Sequence, residues 1–190
     1  MAYDRFGVWR TISGRRVFIE AGMDLYDALR ESGKFSDLKN GLTHNEEYAI
    51  NKYMSSDCYA LNEKLREGMP LTADEIEWTD NLDKALGKMP KYEGKVYRSI
   101  LKDDPTRFVQ DYKIGDEKEY KAYISSGDAV YDSGMSIQYV MQSKNGRDIR
   151  KYNPSEHEII FKRNAKFRVT GIENYKSSAV EGYKIHMEEI

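Results

Sequence analysis

Cysteine is almost missing: Cys58 stands alone among 190 residues, which rules out an internal disulfide and any multi-cysteine metal centre. Histidine is nearly as scarce. His44, His157 and His186 are scattered, so the sequence offers no nucleophilic triad by itself and no metal site. No apolar run approaches the roughly 18 residues of a membrane span, and no membrane contact is expected. Nor does one sign of charge dominate. Thirty basic residues face 32 acidic ones for a net charge of −2. Non-specific nucleic-acid binding needs a basic excess to neutralise phosphates, so no nucleic acid is expected as a partner. The opening residues Met1-Ala2-Tyr3-Asp4-Arg5 lead into no apolar h-region, which argues against a secretory leader and for a cytoplasmic location. Repeats and low-complexity tracts are absent.

What is present divides into a helical half and an extended half. Hydrophobic residues make up 39% of the chain and charged ones 33%, enough for a core beneath a heavily charged surface. The length suits one domain, or one domain with a small appendage. Residues 8–20 hold two β-prone runs around Ser13-Gly14 and predict a hairpin. A short helix is expected from Asp24 to Ser32, stopping at Gly33, with a polar linker from Phe35 to Gly41. Thr43-His44-Asn45-Glu46 and Thr72-Ala73-Asp74-Glu75 are capping-box patterns that should open helices. Between them a further helix carries Tyr59, Leu61, Asn62 and Leu65 and ends near Gly68. After Pro90 the pattern turns extended: Lys95–Ile100, Ile137–Met141, Glu158–Phe161, Lys166–Val169 and Tyr183–Ile190 read as strands. Helices first and strands after predict an α+β fold.

Three places in the extended half stand out. Arg98 lies inside a strand pattern, where a lone arginine ordinarily faces water. Ser125 and Ser126 end another, as a plain strand-to-turn junction would. Glu156-His157-Glu158 sets two carboxylates two residues apart, hence on one strand face. Like charges placed so repel unless something cationic sits opposite.

Together and in this order, these residues resemble the Arg, Ser-Thr-Ser, Glu-x-Glu arrangement of the toxin-type mono-ADP-ribosyltransferases. The likeness extends upstream to Tyr53 through Asn62-x-x-Leu65-Arg66, to Leu82–Leu86 with Pro90 and Tyr97-Arg98, and to Tyr112 with Gly115-Asp116. It continues through Ser143–Ile149, Glu158–Phe161 and Phe167–Val169, covering roughly residues 43 to 173. The resemblance implies an α+β ADP-ribosyltransferase fold, N-terminal helices packed on a core of two β-sheets around an NAD cleft. It implies NAD as substrate, ADP-ribose transfer to a target protein and release of nicotinamide. Arg98 would grip the pyrophosphate, since a planar guanidinium offers two parallel hydrogen bonds. Glu158 would stabilise the oxocarbenium-like state of glycosidic cleavage and hold the 2′-hydroxyl, with Ser125 orienting it. Glu156 would orient and help deprotonate an acceptor arginine, because Glu-x-Glu resembles the arginine-modifying branch. Tyr53, Asn62 and Ser99 complete the implied cofactor contacts, and Tyr152, in the turn 151–155, would contact the protein acceptor.

Two features depart from the family pattern. The third position of the serine motif is Gly127, and the segment Asp128 to Gly134 has no Arg or Phe to cover the cofactor, leaving Tyr131 as the available aromatic. Residues 1–35 form an appendage to a transferase domain at 36–190; within it, residues 8–35 resemble segments beside transferase domains in phage head-morphogenesis proteins. That likeness implies virion association and delivery to a bacterial host cytoplasm. An NAD glycohydrolase and a catalytically weak virion- or partner-binding module are the alternative readings.

Overall fold

The computed structural model describes residues 41–130, 134–152, 157–176 and 181–190, together with the backbone of 7–12 and 15–20. The expected helix at Asp24–Ser32 and most of the linker after it lie outside the described residues, as do Tyr131 and Glu156. Two compact units are present. One takes in the described residues up to Cys58 and Thr72–Lys88; the other is Tyr59–Leu71 with Met89–Ile190.

The first unit contains the hairpin read from the sequence. Strands β1 (Gly7–Ile12) and β2 (Arg15–Glu20) pair antiparallel in continuous register from Gly7↔Glu20 to Ile12↔Arg15. It also contains helices α1 (His44–Tyr53) and α3 (Ala73–Lys88). Both capping boxes form. Thr43 N donates to Glu46 at 2.7 Å and Thr72 N to Glu75 at 2.8 Å, with the return bonds to each threonine hydroxyl at 3.3 Å. The indole of Trp78 donates to the carbonyl of Ala49 at 3.0 Å, tying α3 to α1. Burial works against ionisation of the Glu46 carboxyl. The Lys88 ammonium 2.7 Å away and the Thr43 amide nevertheless hold it below the usual glutamate value.

The second unit is built on a sheet. Helix α2 (Asp57–Glu67) closes at Gly68, whose φ of 67° is the left-handed stop that glycine supplies cheaply. Strands β3 (Lys91–Ile100), β4 (Glu117–Tyr120), β5 (Ile124–Gly127), β6 (Ile137–Asp148), β7 (Glu158–Phe161), β8 (Ala165–Lys176) and β9 (Glu181–Glu189) follow, with one short helix, α4 (Pro105–Val109). Among the described residues these seven strands join in the order β3-β5-β7-β6-β9-β8-β4, and β3 also pairs with β6. Strand β6 therefore serves two groups of strands. Its residues 137–142 lie between β3 and β9, the latter parallel, while Arg147 and Asp148 pair with β7.

Local chemistry explains how one strand can do both. Opposite the irregularity between Tyr92 and Gly94, the Ser143 hydroxyl donates to Tyr92 O at 2.7 Å and accepts Gly146 N at 3.1 Å. The carboxylate of Glu189 takes the amides of Lys144 and Asn145, each at 2.6 Å. Gly146 is required there, because a Cβ would stand 2.8 Å from Ile159 Cγ2. The core beneath holds Val96, Ile137, Met141, Ile159, Val169 and Ile185, with Phe161 edge-on to Phe167 at 5.0 Å. No described helix is long and apolar enough to cross a membrane.

Gly182 shows how tightly β9 seats. A Cβ at this position would lie 1.8 Å from the backbone oxygen of Ser136, which accepts the Tyr183 amide at 2.9 Å. Gly182→Ala should therefore displace the start of β9, costing on the order of 1–3 kcal/mol or more as overpacking does. A denaturant melt with an unchanged midpoint would contradict this.

Candidate active site

Strand alternation decides which side chains can meet. In β3, Val96, Arg98 and Ile100 share one face, and Val96 is fully buried. Arg98 reaches from that face toward β5, where its Nη1 donates to the carbonyl of Ser125 at 2.7 Å. Strand β5 runs antiparallel to β7 with Ser125 opposite Ile160 and Gly127 opposite Glu158. Ser125 and Glu158 are thus diagonal neighbours on one face. The Ser125 hydroxyl donates to Glu158 Oε1 at 2.5 Å, and Glu158 is only 5% exposed. Arg98, Ser125 and Glu158 are brought together through Ser125, whose carbonyl accepts from Arg98 and whose hydroxyl donates to Glu158.

The neighbouring residues of the serine motif take other tasks. Ser126, on the opposite face, is buried and donates its hydroxyl to Ile159 O at 2.8 Å. Gly127, the third position of that motif, is backbone-paired to both Tyr97 and Glu158.

Arg98 also lines a cavity of about 410 Å³ in this unit. Arg66, Lys102 and Lys121 add cationic groups to its wall, and Phe108, Tyr112, Tyr120, Tyr123 and Tyr139 add aromatic faces. The Tyr112 and Tyr139 hydroxyls stand 2.8 Å apart, and Tyr120 OH donates to Met187 Sδ at 3.6 Å. Burial first, and then the neighbouring phenol of Tyr112, push the Tyr120 and Tyr139 hydroxyls well above the usual tyrosine value, so both stay neutral. Positive charge, aromatic surface and neutral hydroxyls suit a flat, anionic ligand such as a dinucleotide.

The remaining residues named from the sequence fall in different places. Asn62 is buried and accepts the Tyr123 amide at 3.2 Å, holding α2 to the segment leading into β5; Arg66, one turn later, is the one that reaches the cavity. Ser99 lies by alternation on the face of β3 opposite Arg98 and does not line that cavity. Tyr53 is 3% exposed at the end of α1, in the first unit. Tyr152 is half-buried; its amide donates to Ile149 O at 2.8 Å, and the Lys151 ammonium stands 5.5 Å over its ring. Glu156 is outside the described residues. Among the described residues no group of three or more His, Cys, Asp or Glu side chains is placed to hold a metal ion.

Sequence reasoning missed an ionic cluster next to this site. Arg150 joins Asp128 at 2.8 Å and Asp148 at 2.7 Å, and His157 Nδ1 stands 3.4 Å from Asp128. The hydrogen bonds from Arg150 hold the Asp148 carboxyl below the usual aspartate value, and the guanidinium is pushed up in turn. Asp148 and Arg150 are near in sequence, but nothing local announces that Asp128, some twenty residues earlier, closes the cluster.

The family model of the ADP-ribosyltransferase exoenzymes matches residues 31–189. The chain belongs to this family. NAD is the substrate of these enzymes. A Mycobacterium avium (strain 104) protein named as an NAD(+)–arginine ADP-ribosyltransferase, Mav, is 30% identical over 152 residues. That match covers 76% of this exoenzyme-family chain but 18% of the Mav protein, so the chain spans about a fifth of that relative's length. Among solved structures, the ADP-ribosyltransferase toxin Plx2a of Paenibacillus larvae superimposes with a TM-score of 0.68 at 18% identity, covering 87% of this chain and 96% of that one. Exoenzyme S of Pseudomonas aeruginosa, solved with human 14-3-3 protein beta and bound to carba-NAD, gives 0.60 at 18% identity over 78% and 74%. At these identities the likeness is one of fold, and it places the α+β architecture among the ADP-ribosyltransferase toxins.

The support given to Glu158 can be measured apart from turnover. Ser125→Ala removes its hydroxyl donor while leaving the backbone carbonyl that receives Arg98, so a buried carboxylate loses a partner at a cost of about 1–3 kcal/mol. Chemical denaturation should show that loss, and an unchanged stability would deny the bond its role.

Proposed function

We propose that this chain is an NAD-dependent mono-ADP-ribosyltransferase that transfers ADP-ribose to arginine on a target protein. The observation that carries the reading is the chain Arg98–Ser125–Glu158 at the edge of a cationic, aromatic cavity.

Each residue supplies what glycosyl transfer from NAD demands. Arg98 presents a guanidinium to the pyrophosphate, and Arg66, Lys102 and Lys121 add charge along the same wall. The bond between nicotinamide and ribose C1′ breaks with its electron pair leaving on neutral nicotinamide, so positive charge develops on the ribose. The Glu158 carboxylate, already fixed by Ser125, counters that charge without reorganising. A guanidinium nitrogen of the acceptor then bonds to C1′ and gives up a proton, for which Glu156 is the acceptor. Support for arginine comes from that Glu-x-Glu spacing and from the name of the Mav relative. On the same reading the acceptor belongs to a bacterial host and is reached with a virion; the likeness of residues 8–35 to segments of phage head-morphogenesis proteins supports this.

Incubation with labelled NAD and a bacterial lysate tests the reading. Labelled protein bands support transfer, free ADP-ribose alone supports glycohydrolysis, and neither product supports a binding role. Glu158→Gln should lower NAD cleavage by a factor of about 10²–10³ or more with the fold intact, as loss of a preorganised charge does. Wild-type turnover in that variant would remove the mechanism. Glu156→Gln should lose transfer to arginine yet keep some hydrolysis; equal loss of both products would contradict the separation of roles.

A further inference from the structure

The ionic cluster beside β7 takes no part in the chemistry above, yet each of its members borders a strand that does. Asp128 follows Gly127 at the end of β5, three residues after Ser125. His157 immediately precedes Glu158. Asp148 ends β6, and its backbone pairs with Ile159 of β7. Arg150 connects them. Its Nη1 donates to Asp128 Oδ2 at 2.8 Å, its Nη2 to Asp148 Oδ2 at 2.7 Å and its Nε to Asp148 Oδ1 at 3.0 Å. The Arg150 backbone amide adds a third bond to Asp148, also at 3.0 Å. The other oxygen of Asp128 is 3.4 Å from His157 Nδ1.

We propose that Arg150 is a positioning residue for Glu158: its guanidinium locks the ends of β5 and β6 together, and so fixes where β7 delivers its carboxylate. The proposal rests on the reading that Glu158 acts on NAD.

Strands β5 and β7 pair with each other along all four residues, and Ile149 N donates to Glu158 O at 3.2 Å, but the pair meets its neighbours at few points: β5 meets β3 at Tyr97↔Gly127, and β7 meets β6 through two residues. His157 has a φ of 51°, a left-handed conformation that costs free energy in a residue with a Cβ and persists only where its surroundings enforce it. Through Asp128, the cluster reaches the side chain of that same residue. Arginine is the side chain suited to the task, because a planar fork can satisfy two carboxylates at once while an ammonium acts as a point charge. With 38% of its side chain exposed, Arg150 is screened by solvent, so its effect should appear as alignment more than as global stability. Alignment matters at a contact of 2.5 Å between Ser125 and Glu158.

The test compares wild type with Arg150→Ala, Arg150→Lys and Asp128→Asn in steady-state NAD cleavage, thermal unfolding and amide hydrogen exchange. Arg150→Ala should lower kcat by about 10- to 100-fold, the scale of a small misplacement at a reacting centre. KM for NAD should stay within about twofold, since Arg98 and the cavity wall are untouched. Lysine should restore little, and Asp128→Asn should fall between. Exchange protection should drop at residues 126–128 and 157–158 more than elsewhere in the sheet. An unchanged kcat in Arg150→Ala, full rescue by lysine, or protection lost evenly across the sheet would each overturn the proposal. If Arg150→Ala does not fold, the lysine and asparagine variants decide by the same criteria. The exchange measurement needs no turnover: inactive wild-type protein would sink the proposed transferase activity, while the local protection pattern would still judge the clamp.

Discussion

One serine holds the site together by being used twice. The Ser125 carbonyl receives the Arg98 guanidinium, and the Ser125 hydroxyl grips the Glu158 carboxylate. Three strands are thereby coupled through a single residue on the middle one. The arrangement is sensitive to register, because a shift of one residue between β5 and β7 would turn the hydroxyl to the other face. Ser126 guards against that shift. Its side chain is bound to the Ile159 carbonyl on the opposite face, so the adjacent serine pins the register on which Ser125 depends.

The cavity beside this chain separates charge from polarity. Its cations are guanidinium and ammonium groups, while burial pushes the Tyr120 and Tyr139 phenols still further above the range in which they would ionise. The phenols can accept or donate a hydrogen bond without adding a negative charge that would repel a phosphate. Arg66 and Asn62 show a comparable economy on α2. One turn apart, one side chain lines the cavity and the other holds the segment that leads into β5.

Much of this was legible before any coordinates. The two capping boxes announced where α1 and α3 begin, because their chemistry is local: a threonine and a glutamate three residues apart satisfy each other's backbone. Strand β7 matches its sequence reading residue for residue, as an apolar run bounded by polar ones should. Arg98, Ser125 and Glu158 were singled out by an ordered motif, although no single one of them carried a signal, and the fold brings the three together. Other features had no local signature. The continuation of β6 to Asp148 runs through Lys144-Asn145-Gly146, a polar stretch held extended by Ser143 and by Glu189, over forty residues away. Ser99, next to Arg98 in sequence, lies on the other face of β3 and away from the cavity that Arg98 lines.

The parallel pairing of β9 with β6 has a bearing on synthesis. Strand β6 is flanked on one side by β3, made some forty residues earlier, and on the other by a strand made some forty residues later. Arg98, Ser125 and Glu158 have all been synthesised by residue 158, but the brace that flanks β6 comes only with residues 181–189. A nascent chain halted between those points holds these three side chains and lacks the strand that flanks β6.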